Sequence, residues 1–295
     1  MTVSDSDILT RATRLPCWHK ARDPVFLGGG KTNQNILITD QGQQYVVRFG
    51  QDIPEHGILR WNELAVSKAA HAAGVAPGVH YFAPGVMVLD YIAATPVTPA
   101  DFQSDATIDA LAQLLRRVHH DAFQRLEGPV LSFWVFHILR SYGQFLTSHA
   151  SGYLTLLPEL LVQARDLEAR VGPVEIVLAH NDLLPGNILR NGERFWLIDW
   201  EYAGLGSPLF DLGGLATNNT LTVRQETRLL EAYFQAPIDG ALLARYGAMK
   251  CASLLRETMW SMVSELSSPI DFDFPSYTAT NLAAYRASWS DLKSL

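Results

Sequence analysis

The chain has only two cysteines, Cys17 and Cys251, in 295 residues. Their spacing matches no metal-binding pattern and a single pair is no disulfide framework, so a reducing, cytoplasmic setting is the expectation. Basic residues are scarce as well: 23 Lys and Arg stand against 30 Asp and Glu, a net charge of −7, and no Lys/Arg cluster accompanies them. This argues against a nucleic-acid surface, which needs a basic patch, and is weakly compatible with a cationic substrate. No apolar run approaches the ~20 residues needed to span a bilayer. The amino-terminal stretch is polar and mixed in charge, without the apolar core of a signal peptide, so no membrane partner is expected. There is no internal repeat and no low-complexity segment. What is present, 48% apolar and 18% charged residues, is ordinary globular usage in a chain long enough for one or two domains.

The most specific feature lies in the second half. Residues 180–187 read HNDLLPGN, and Asp199 follows inside the apolar stretch FWLIDWEY. A His-x-Asp, an Asn five residues after that Asp, and a second Asp at the end of an apolar strand bring three oxygen-bearing side chains together. One can face a substrate hydroxyl while the other two hold magnesium, which is the arrangement phosphoryl transfer requires. The plainer alternative is an Asx-rich turn, with Pro185 and Gly186 as turn chemistry and Asp182 as a local cap. It leaves Asp199 unexplained, because a carboxylate between Ile198 and Trp200 is costly unless metal or hydrogen bonds satisfy it.

The two parts of the chain differ in texture. Residues 35–39 and 44–48 form a hairpin pattern around the turn Asp40-Gln41-Gly42-Gln43. Residues 60–73 carry a helical apolar period stopped by Gly74. Residues 79–82 and 86–89 predict a second strand pair joined through Pro84-Gly85. Beyond residue 99 the pattern is mostly helical, clearest over 108–120, 133–149 and 157–170, with short strands at 176–179 and 195–198 flanking the motif. The expected architecture is α+β and two-lobed: a small antiparallel β-rich lobe over 1–90 and a larger, mainly helical lobe over 91–295. Residues 90–97 are the expected hinge.

The first lobe carries features of a nucleotide site. Gly28, Gly29 and Gly30, with Thr32 and Asn33, make a Gly-rich turn that enters a strand, and such a turn lets backbone amides approach phosphate oxygens. Gly30-Lys31-Thr32 matches the end of a P-loop, but Val25 stands where that motif needs its first Gly, and a strand follows instead of a helix. Arg48 ends the next apolar strand and Glu63 lies on the helix after it; a cation so placed can hold the α- and β-phosphates while the helix carboxylate orients it. The alternative is a solvated strand-end Arg and a surface Glu. Asp90 and Ile92, at the hinge, are expected to line the same nucleotide cleft.

HNDLLPGN, then LIDWEYAG, then PLFDLG over 208–213 together resemble the choline/ethanolamine kinase family, within the protein-kinase-like fold shared with aminoglycoside phosphotransferases. The resemblance runs from about Gly28 to Tyr277. It implies ATP and Mg²⁺ as cofactors, Asp182 as the catalytic carboxylate, Asn187 and Asp199 as metal ligands, and Arg48 with Glu63 as the phosphate-binding pair. It implies that His180 orients the catalytic loop, that Asp211 braces it from within, and that His119 or His120 packs behind it.

For the acceptor, the resemblance places Trp260 and Tyr277 in an aromatic cage, with Tyr202 as a third candidate and Glu201 and Asp182 as hydrogen-bonding partners of a primary ammonium. Cation–π contact is the means by which a quaternary ammonium is held. Trp260 on an apolar helix face is otherwise a core residue. The family's further cage carboxylate is replaced by Asn218, and a second cage tryptophan by Glu257. The expected activity is phosphorylation of a small amino alcohol, choline first and ethanolamine next, with thiamine or an aminoglycoside as alternatives. A non-catalytic kinase-like module and a metal-dependent hydrolase are the competing classes. The first is disfavoured by the intact Asp182, Asn187 and Asp199, the second by the lack of further His/Asp ligands.

Overall fold

A computed structural model describes residues 4–28 and 33–293. Gly29, Gly30 and Thr32, expected at the nucleotide phosphates, lie outside the described residues. Helix α1 (Asp5–Thr13) begins at a capping box, in which Ser4 and Asp7 satisfy each other's orphan backbone donors. Strands β1 (Arg22–Leu27), β2 (Gln34–Asp40) and β3 (Gln43–Phe49) follow, then α2 (Arg60–Ala72), β4 (Val79–Ala83) and β5 (Val86–Asp90). The strands form one antiparallel sheet in the order β1-β2-β3-β5-β4. The β2–β3 turn places Gln41 at φ 50 and Gly42 at φ 84, the two positive angles that a hairpin matching the sheet's twist requires. Ile36 and Ile38 alternate inward along β2 and pack with Val47, Phe49, Val86, Val88 and Ile8 into a small core on one face of the sheet.

Helix α2 does not belong to that core. Val66, Ala70 and Ala73 face the large core with Ile58 and Val75, so this helix ties the small sheet to the helical region. Beyond it come β6 (Thr95–Pro96), α3 (Asp105–Arg116), α4 (Val135–Ser148) and α5 (Leu157–Val171), then β7 (Val177–Ala179), β8 (Ile188–Asn191), β9 (Arg194–Leu197) and β10 (Gly204–Gly206). Helices α6 (Pro208–Asn218), α7 (Val223–Phe234), α8 (Gly240–Ser267) and α9 (Phe274–Lys293) complete the described chain. Helix α8 is central, packed by α4, α5, α6 and α9. A Cβ at Gly213 would lie 2.9 Å from the Lys250 backbone, so glycine there sets how closely α6 approaches α8. The helix expected over 108–120 changes at Arg117 into a π-helical turn through Ala122, which carries the buried His119. No helix among the described residues is long and apolar enough to cross a membrane.

Strand β7 delivers the chain to the loop of residues 180–187 and pairs with β10, while β8 and β9 return as a hairpin and β6 adds to its edge. A Cβ on Gly206 would sit 2.7 Å from the Phe133 carbonyl, so this edge is seated against the segment before α4 by the absence of a side chain. Asp199 does not sit on an apolar strand: β9 ends at Leu197, and Asp199 lies two residues beyond it at φ 66. The residue therefore carries, besides the cost of burying its carboxylate, that of a left-handed backbone, which Asp and Asn tolerate best among non-glycine residues.

Candidate active site

The loop after β7 is held from inside by Asp211, in the first turn of α6. Its Oδ2 accepts from the His180 amide at 2.8 Å and its Oδ1 from the Asn181 amide at 2.7 Å. His119 Nε2 lies 2.9 Å from Oδ2, and Tyr233 Oη holds the other ring nitrogen at 2.7 Å. Burial alone would push the Asp211 carboxyl up; hydrogen bonding from His119 first and from the His180 amide outweighs it and holds the group below its ordinary value. Asn181 takes φ 66 and anchors its side-chain amide on the Tyr202 carbonyl at 3.0 Å. His180 Nε2 lies 3.0 Å from the Ile198 carbonyl, and its Nδ1 accepts from the Asp182 amide at 3.3 Å. This fits a neutral ring protonated on Nε2, and burial lowers its pKa further. His180 thus ties the Asp182 loop to the Asp199 segment.

Asp182 is half-buried. Asn187 donates through Nδ2 to both the Asp182 carbonyl and its Oδ2, each at 2.9 Å, which fixes the carboxylate and turns the Asn187 Oδ1 lone pairs the other way. Burial first, then the nearby Asp199 charge, pushes the Asp182 carboxyl well above its usual range, with Arg256 opposing. The Ile198 amide donates to the Asn187 carbonyl at 3.0 Å, so the Asn187 and Asp199 segments run side by side. Burial, with Glu201 and Glu63 nearby, raises the Asp199 carboxyl to about 6, against the opposing Arg48 cation.

Five charged side chains, Asp199 among them, interlock here. Arg48 reaches Asp199 at 2.5 Å, Glu201 at 2.9 Å and Glu63 at 2.9 Å, and Arg60 reaches Glu63 at 2.6 Å and Glu201 at 2.9 Å. Asn33 joins them through Glu201 and Arg60, both at 2.9 Å. The Arg48–Glu63 pair expected from the sequence is therefore formed, within a larger cluster. Glu201, expected to face the acceptor, is bound instead by the two guanidiniums, because its side chain turns into the interlobe cluster and is only 3% exposed. Arg60 was not anticipated, although its place three residues before Glu63 on one helix face was a usable signal.

Among the described residues no cluster of three or more His, Cys, Asp or Glu could hold a metal alone. Magnesium does not need one, since one or two protein oxygens with substrate phosphates and water complete its shell. Asn187 Oδ1 and Asp199 fit that requirement. Gly28, Arg48, Asp90, Ile92 and Asp199 all line one cleft of about 280 Å³. Its walls of Leu27, Val46, Leu89, Leu189 and Ile198 are apolar, as a planar base would need, and its charged end holds Arg48 and Asp199.

On the other side of the loop the aromatic residues meet only in part. Trp260 Nε1 donates to Tyr202 Oη at 2.8 Å, and the Trp260 and Tyr277 rings stand edge to face at 6.3 Å. Trp260 also packs on His56 at 5.4 Å and on Phe274 at 6.2 Å, and is 8% exposed. The cavity it lines, about 380 Å³, is walled by His56, Ser264, Phe272 and Phe274, and Asp182 is not among its lining residues. Asp182 borders a separate cavity of about 30 Å³ with Asn218, Ser253, Arg256, Glu257 and Asn281. The expectation that Tyr202, Trp260 and Tyr277 converge directly above Asp182 is corrected accordingly: Arg256 and Glu257, one helical turn before Trp260, stand at that place. His56, Arg60 and Arg256 escaped the sequence reading because each is defined by partners distant in the chain.

A family described as "Phosphotransferase enzyme family" matches residues 24–249. Protein LicA of Haemophilus influenzae is 28% identical over 225 residues, 73% of this chain but 64% of LicA, so the match spans under two thirds of that relative. Thiamine kinase of Shigella boydii is 29% identical over 230 residues, covering 76% of this chain and 77% of the relative. The crystal structure of choline kinase LicA from Streptococcus pneumoniae superimposes with a TM-score of 0.80 at 23% identity, covering 97% of this chain and 99% of that one.

Proposed function

The chain belongs to the phosphotransferase enzyme family, and from that premise we propose that it is a magnesium- and ATP-dependent kinase of a small amino alcohol, choline or ethanolamine. The observation that carries the reading is the loop in which Asn187 fixes Asp182 while its own carbonyl segment runs beside Asp199. Residues 1–90 then supply most of the nucleotide cleft and residues 91–295 the acceptor and the catalytic loop.

In this reading Asp182 takes the proton of the acceptor hydroxyl. Its Oδ2 is held by Asn187, so the remaining lone pairs orient the nucleophile in line with the γ-phosphorus. Asn187 Oδ1 and Asp199 would hold magnesium, which would supply charge neutralisation to the transferring phosphate. Arg48 and Asp199 now neutralise each other across the cleft. With nucleotide bound, Asp199 would be available to hold the metal and Arg48 would hold phosphate, its guanidinium aimed by Glu63. Glu257 offers the acceptor ammonium a carboxylate in the cavity that Asp182 borders.

A larger cationic alcohol such as thiamine is the second reading, favoured by the cavity of about 380 Å³ beside Trp260 and by the thiamine kinase relative. The test is Asp182→Asn. Folding and ATP binding are expected to persist while turnover falls by roughly 10²–10⁴, the range for a positioned acid–base group. Turnover near wild type in a folded variant would refute the assignment.

A further inference from the structure

Arg256 has no part in the chemistry above, and its surroundings demand one. It is 4% exposed on the central helix α8, where its guanidinium lies 4.3 Å over the Tyr202 ring and 5.8 Å from that of Phe133. Its Nη1 bonds to Glu257 Oε2 at 3.1 Å, and Nε and Nη2 are buried with no hydrogen-bond partner among the described residues. A buried guanidinium with two unmatched nitrogens is costly, so a side chain kept there is held mainly by its charge and its ring contact. The charges are Glu257 and Asp182, and the ring is Tyr202.

The position matters because Arg256 borders the cavity of Asp182 on one side and covers the ring of Tyr202, whose hydroxyl accepts from Trp260, on the other. A cation-binding ring face holds one cation. We propose that Arg256 determines acceptor specificity, its guanidinium filling the Tyr202 face that a trimethylammonium group needs, so that the chain takes primary amino alcohols and discriminates against choline. The inference rests on the amino-alcohol reading and narrows it. Both kinds of acceptor are cations and both are repelled by Arg256, but a primary ammonium recovers by hydrogen-bonding to Glu257. That carboxylate already accepts from Arg256 on one oxygen and from Tyr277 Oη at 2.7 Å on the other, and each oxygen keeps a further lone pair. A quaternary ammonium has no N–H to offer.

The experiment compares kcat/KM for ethanolamine and choline in wild type, Arg256→Met and Arg256→Lys, with tetramethylammonium as a competitive inhibitor against ethanolamine. Wild type is expected to prefer ethanolamine by at least roughly tenfold and to bind tetramethylammonium weakly. Arg256→Met is expected to raise the choline/ethanolamine ratio by roughly 5–30-fold, the value of one cation–π contact, and to tighten tetramethylammonium by a similar factor. Arg256→Lys keeps a cation and is expected to keep the discrimination. Adding Tyr202→Leu to Arg256→Met should abolish the gain, because the vacated face is then gone. A wild-type preference for choline overturns the proposal whether or not any variant folds, and so does an unchanged ratio in folded Arg256→Met. If wild type binds ATP yet phosphorylates neither alcohol, the amino-alcohol reading fails and this inference falls with it.

Discussion

Replacing Asp211 by Asn is expected to remove about 3–5 kcal/mol of stability, the usual consequence of breaking a buried, hydrogen-bonded charge pair from one side. The magnitude follows from three contacts: the His180 and Asn181 amides at 2.8 and 2.7 Å and the His119 ring at 2.9 Å. An Asn side chain offers one acceptor oxygen, so its own NH₂ must face one of those backbone donors or the ring. Each buried donor left unmatched costs about 1–3 kcal/mol. For a chain of this length that is a fall in Tm on the order of 10 °C. The pH dependence has a definite sign. The Asp211 carboxyl is depressed in the native state, so its contribution is present above the unfolded value near 3.8 and is lost as pH falls through the native value. Asp211→Asn should therefore be less stable at neutral pH and show a shallower acid-side loss than wild type. Urea unfolding at neutral pH and at pH values below 3.8, with kcat measured on the fraction folded at neutral pH, checks both arms. A loss under about 1 kcal/mol with an unchanged acid profile would show that the loop is not braced through this carboxylate.

Two other substitutions separate the metal from the acceptor pocket. Asp199→Asn removes a hard anionic oxygen and should raise the magnesium requirement by at least the roughly 10–100-fold seen for outer-shell changes, read by titrating magnesium at fixed ATP; an unmoved magnesium curve would contradict the ligand role. Trp260→Ala should act mainly on packing, because the indole is wedged among His56, Phe274 and Tyr277. It is expected to cost about 3–5 kcal/mol in unfolding free energy. A variant of native stability whose acceptor KM alone rises would return Trp260 to the cage.

The sequence was legible where chemistry is local. The turn at Gln41-Gly42, the strand pairs of the small sheet and the His180–Asn187 loop each declare themselves through short-range patterns, and the structure has them at those places. Arg48 and Glu63 were found because strand and helix follow each other in the chain. What escaped depends on packing between distant segments. Arg60 bonds to Glu201, 141 residues away. Arg256 meets Tyr202 across the core, and His56 lies between Tyr142 and Ser264 at 3.1 and 3.0 Å. Glu201 reads from the sequence as a carboxylate for a primary ammonium, whereas the chain turns it toward the two arginines. Asp199 was placed on a strand because its neighbours are apolar, and only the backbone angle reveals that the strand has already ended. The π-helical turn at His119 leaves no mark in periodicity.

Phosphorus NMR of the wild-type chain incubated with magnesium, ATP and an equimolar mixture of ethanolamine and choline tests the central claim most directly. The account predicts that the γ-phosphoryl signal of ATP is replaced by one phosphomonoester signal for each ADP formed, and that Asp182→Asn leaves the spectrum unchanged over the same time. ADP accompanied only by inorganic phosphate, or an ester formed equally well by Asp182→Asn, would contradict it.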